Sequence, residues 1–170
     1  MGVATTSYLS IAQFSQQPKL QGYLKTEKFN PRNLLSSLEQ YVPGTSDPTV
    51  LKTLQLTTNL QGDLSNLNLK NLKIILDDSK LQGNINIDKK ITFHFDVDKI
   101  DVSRYLSSST DENSDPVSDK PIEMLKNLNL NGTLKIGSLK VVGLEINDIY
   151  FEVTTNENGK IQIYPKFFNN

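Results

Sequence analysis

The chain has no cysteine, no tryptophan and a single histidine among its 170 residues. Without cysteine there is no disulfide, no thiolate nucleophile, no Cys-ligated zinc and no iron–sulfur cluster. One histidine cannot supply the multi-histidine ligand sets of most catalytic zinc and iron centres. A surplus of charge is lacking too: 18 basic and 19 acidic side chains leave a net charge of −1, so the clustered basic footprint that nucleic acid requires is missing. No stretch approaches the run of about 20 apolar residues that a spanning helix needs, and the N-terminus has no charged region followed by an apolar one. An apolar fraction of 36% is low for a compact globule yet above that of a disordered chain. No catalytic residue, cofactor or metal site is expected.

What is present is period-two alternation, apolar residues on one parity and Asn, Lys, Thr, Gln or Asp on the other, the mark of strands buried on one face. It is clearest over Leu54–Leu60, Leu81–Ile87, Ile91–Val97 and Leu128–Ile136. Two further runs, Leu67-Asn68-Leu69 with Leu72-Lys73-Ile74, and Leu144-Glu145-Ile146 with Ile149–Val153, switch parity once, which predicts a bulge or sharp bend in each. Helical signals are short. Asn30-Pro31 followed by Leu34, Leu35 and Leu38 predicts a capped helix of two to three turns. Asp101–Leu106 reads as a shorter copy and Pro121–Lys126 as a further turn. The Ser-, Asp- and Pro-rich stretch 107–120 is expected to be a mobile loop.

These segments form an internal duplication. Phe29–Leu35 corresponds to Ile100–Leu106 at a shift of 71, Val50–Leu56 to Met124–Leu130 at 74, and Leu67–Leu69 with Leu72 to Leu144–Ile146 with Ile149 at 77. The expected fold is mainly β, of α+β character. It consists of two tandem repeats of antiparallel, strongly curved sheet with one apolar face, plus short capped helices. Residues 1–18 read as the end of a preceding repeat or an expression-derived segment, 19–89 as the first repeat, 90–165 as the second, and 166–170 as a truncated end. On this reading the end strands lack natural partners and are open to pairing with a second copy.

Taken in order, Phe29–Leu35, Leu76–Gly83, Phe95–Leu106, Leu128–Ile136, Gly143–Ile149 and Asn158–Ile161 resemble the AsmA family of bacterial envelope proteins over nearly the whole chain. That resemblance implies a periplasmic body in a protein held in the inner membrane of a Gram-negative bacterium by an N-terminal anchor. It further implies outer-membrane biogenesis, with phospholipid transport along an apolar β groove and envelope proteins as partners. The alternatives are a structural or protein-interaction β module without lipid cargo and, far behind, a glycan hydrolase.

Individual polar residues read as structural. His94 falls with Thr92 and Asp96 on the polar parity, and one histidine makes no metal site. Asp96, Asp98 and Asp101 lack the central Gly and closing Glu of a calcium loop, and Asp101 reads as a helix cap. Asp77-Asp78 predicts a turn before Ser79. Met1–Thr6 fits a myristoylation pattern and Asn131-Gly132-Thr133 a glycosylation sequon. The first is also what an expression leader leaves, the glycine of the second also serves a bend in a strand, and neither is assigned. Which residues contact lipid is not legible.

Overall fold

In the computed structural model the described residues are 3–12, 18–106 and 128–166. The loop expected over 107–120, the turn at Pro121–Lys126 and residues 167–170 lie outside them.

Each alternating run forms a strand, because every second side chain can shed water while the other faces solvent. The strands are β1 (Thr5–Ala12), β2 (Lys19–Thr26), β3 (Leu54–Gly62), β4 (Leu67–Leu76), β5 (Ser79–Ile87), β6 (Ile91–Asp101), β7 (Leu130–Val141), β8 (Leu144–Thr155) and β9 (Ile161–Lys166). They join in sequence order into one nine-stranded sheet. Helix α1 (Pro31–Ser37) follows β2, with Asn30 as its cap: the Asn30 side chain accepts from the Asn33 backbone N–H at 3.1 Å. A 3-10 turn at Val102–Arg104 follows β6, and Asp101 caps it in the same way by accepting from Ser103 N–H at 3.1 Å.

Mainly β is therefore correct, with 62% of the described residues in strands and 7% helical. Three finer expectations are overturned. The sheet is continuous and does not divide into two repeats, because β5 and β6 pair along Leu81–Ile87 as fully as strands elsewhere. It is not strongly curled. Nor is it wholly antiparallel: β6 and β7 run parallel from Ile91↔Leu130 to Asp101↔Lys140, whereas β2 and β3, the segments expected to correspond to them, pair antiparallel. A parallel neighbour needs a long crossover, which the residues between Asp101 and Leu130 are numerous enough to make.

Local features do recur at the spacing of the duplication. Asn71 and Asp148, 77 positions apart, both have left-handed backbones with φ of 53°, and the residues after them, Leu72 and Ile149, are both buried. At Asn71 the register of β4 slips by one residue against both neighbours, the bulge that the parity switch predicts. At Asp148 the register holds, but the ladder skips Asp98, Gly137 and Asp148, and apolar positions change parity in β6, β7 and β8 together.

Candidate functional site

Side chains of directly paired residues share a face of the sheet. One such row crosses all nine strands through Leu9, Gly22, Leu60, Leu69, Ile85, Phe93, Gly132, Val153 and Ile163. Every member is apolar or glycine. The adjoining row runs from Leu72 through Gly83, Phe95 and Leu134 to Phe151 and Pro165. With strands about 4.8 Å apart, the face is ~38 Å wide.

This face is covered in part: Leu72, Ile136 and Ile149, which lie on it, are buried, whereas the nine-strand row is half-buried or, at its two ends, exposed. Strands touch their sheet neighbours, and the one further sustained contact between elements joins β7 to the 3-10 turn. Val50, Leu72, Ile136 and Ile149 are the buried apolar side chains among the described residues. Phe93 and Phe95 stack with ring centroids 4.9 Å apart. Each ring lies over a glycine of the next strand: a Cβ added to Gly132 would meet Phe93 at 2.6 Å, and one added to Gly83 would meet Phe95 at 2.6 Å. The glycines let the rings lie flat on the sheet, cross-strand cover of the kind that compensates for missing side chains.

Charge gathers at one end of the sheet. Arg104 donates to Asp47 at 2.7 Å and to Asp78 at 2.8 Å, and its remaining nitrogen reaches Thr49 Oγ1 at 3.2 Å. Asp77 accepts from three consecutive backbone N–H groups, Leu51, Lys52 and Thr53, at 2.7–3.0 Å, and from the Tyr105 hydroxyl at 2.9 Å. Those donors hold the bulky Leu51 in a left-handed conformation. Burial pushes the Asp77 carboxyl up, but the backbone donors outweigh it and leave it below its ordinary value. Hydrogen bonds from Thr49, with Arg104 behind them, hold Asp47 down to about 2. Burial and the bond to Asp77 keep the Tyr105 phenol protonated, while the two aspartates hold the proton on Arg104. Ser46 adds a bond from its N–H to Leu106 O at 2.8 Å. A cavity of about 230 Å³ beside the cluster is lined by Arg104, Lys99 and Lys140 together with Asp78, Asp101 and Glu145, so its charges offset one another. These groups are mutually satisfied, and the arrangement ties loop 43–53 to the 3-10 turn.

Sequence-singled residues behave structurally. His94 is exposed on the polar face, hydrogen-bonded to Thr133 and 3.6 Å from Asp96. Asp98 accepts from the Lys80 and Lys99 N–H groups, both at 2.7 Å, and no group of metal-ligating side chains forms among the described residues. Asp77-Asp78 is the two-residue turn joining β4 to β5, with Asp77 left-handed. The sequon glycine, Gly132, serves strand packing against Phe93. Sequence reasoning missed the Arg104 cluster, whose members come from three separate segments, loop 43–53, the Asp77-Asp78 turn and the 3-10 turn; the one available signal was a basic residue closing a capped turn. No helix among the described residues is long and apolar enough to cross a membrane. The chain matches no family model, no curated protein and no solved structure.

Proposed function

We propose that the chain is a segment of an envelope protein of AsmA character, and that its apolar face carries phospholipid acyl chains between the inner and outer membranes. The observation behind this is the unbroken apolar row across nine strands, whose members are half-buried or exposed among the described residues. The weakly curled sheet makes it an open face, not an enclosed groove. An open face covers an acyl chain on one side. At about 0.8 kcal/mol per fully buried methylene, a dozen half-covered methylenes gain ~5 kcal/mol. That corresponds to holding in the sub-millimolar range, weak enough for cargo to move on. Such carriage needs no nucleophile or acid–base pair, and the protein on this reading is not an enzyme, needs no cofactor and has no nucleic-acid partner. Its place is the periplasm, in a protein anchored to the inner membrane, with other envelope proteins as partners.

A structural or protein-interaction module without lipid is the second reading, favoured by the exposed apolar side chains Leu9 and Ile163 on the two outer strands. Lipid extraction from the full-length protein purified from membranes, followed by mass spectrometry, separates the two. Bound phospholipid is expected. None, under conditions that retain it in a known carrier, overturns transport and leaves the interaction module.

A further inference from the structure

The face behind the apolar rows carries a pattern of its own. From β4 to β9 its paired positions are Asn68, Asn86, Thr92, Asn131, Thr154 and Gln162, a row of amides and hydroxyls with no charge in it. Each follows or precedes an apolar-row residue in its strand, as Asn86 follows Ile85 and Thr92 precedes Phe93, so the two rows lie on opposite faces. Asn is disfavoured in strands, and Thr would keep a face wet at lower cost. A local rule broken repeatedly along one line is expected where function outweighs folding. Two hollows of about 400 and 460 Å³ lie end to end on this row and share Thr92. Asn68, Asn84 and Asn86 line the first, and Asn131, Thr154 and Tyr164 line the second. The Asn86 amide donates to Asn68 at 2.9 Å, which fixes the orientation of both. The Asn131 amide and the Thr92 and Thr154 hydroxyls have no hydrogen-bond partner among the described residues and stay available. Of the charged residues lining the hollows, Lys70 donates to Gln61 at 3.0 Å and Glu152 pairs with Lys166.

We propose that this polar face binds a neutral glycan, a chain of β-linked hexopyranose units lying across the strands. Sugar hydroxyls both donate and accept, as side-chain amides and hydroxyls do, and an uncharged partner matches an uncharged row. Tyr164, 46% exposed at the β9 end, offers a flat apolar ring beside a polar tip, which suits the C–H face of a sugar. With strands about 4.8 Å apart the row from β4 to β9 is ~24 Å long, room for several units in line. Acyl chains would use the opposite face, so glycan binding and lipid carriage can fail independently.

The test is titration of the isotope-labelled chain with cellohexaose and with chitohexaose, followed by two-dimensional NMR. Saturable shifts are expected at the side-chain amide signals of Asn86 and Asn131 and not at that of Asn33 in α1. Asn131→Ala should weaken binding about fivefold, the loss of one ordinary hydrogen bond. Its unfolding midpoint should stay unchanged, because Asn131 is exposed. The anionic hexagalacturonate should bind more weakly than either neutral chain. No saturable shift with either neutral hexasaccharide, shifts confined to residues off the row, an Asn131→Ala chain of unchanged affinity, or tighter binding of hexagalacturonate would each overturn the proposal.

Discussion

At the scale of single residues the molecule depends on a few side chains that satisfy several backbone groups at once. Asp77 is the clearest: it turns the β4–β5 hairpin, accepts three N–H groups and holds Leu51 left-handed. Asp77→Ala is expected to cost ~2–3 kcal/mol in urea unfolding, since it strands those donors and releases the strain they hold. Asp78→Ala should cost less than ~1 kcal/mol, because that carboxylate is 62% exposed and makes one bond to Arg104. Asp47 gives a pH signature. Its folded carboxyl is lowered from 3.8 to about 2, so its contribution is complete above the unfolded value and is lost as pH falls from about 4 towards 2. In Asp47→Asn, the decline of the unfolding midpoint over that interval should be shallower than in the wild type. A Cβ at Gly83 would meet the His94 backbone carbonyl as well as the Phe95 ring, so Gly83→Ala is expected to destabilise by ~1–3 kcal/mol, measured by thermal or urea unfolding.

At the scale of elements, the β7–β8 hairpin carries a locally unfavourable residue. Val142 and Gly143 both have positive φ, 47° and 81°, the geometry that favours Asn-Gly, and a β-branched Val is strained there. Val142→Asn should raise stability by ~1 kcal/mol in the same unfolding assay, because the Ser103 hydroxyl bonds the Val142 backbone N–H and not its side chain. The strands and caps were legible because they depend on neighbours in sequence: alternation marked β3 to β8, and Asn30 and Asp101 cap as their positions suggest. The parity switches located the irregularities at Asn71 and Asp148. Pairing direction was not legible. Whether β7 returns parallel or antiparallel to β6 depends on the path of the connection between them, and alternation reads alike in both. The Arg104 cluster escaped for a similar reason, since Asp47, Asp78 and Arg104 meet only once the sheet has brought its loops to one end.

At the scale of the whole molecule, the modest apolar content acquires a physical meaning. Among the described residues the nine strands form one sheet with no second sheet against it, so apolar residues gather on one face, and the row that crosses that face stays half-buried or exposed. Two separate repeats would each have ended at an edge between β5 and β6; continuous pairing there extends one surface across the chain. The central claim is that this surface, and not the polar one behind it, meets acyl chains. Phe95 and His94 are adjacent in β6 and point to opposite faces, which isolates the face as the only variable. The decisive measurement is photocross-linking with benzoylphenylalanine placed at each position, the chain being mixed with phosphatidylethanolamine–phosphatidylglycerol vesicles and the adducts read by mass spectrometry. Phospholipid adducts at position 95 and none at position 94 are the predicted result. Equal labelling at both, or none at 95, would contradict it.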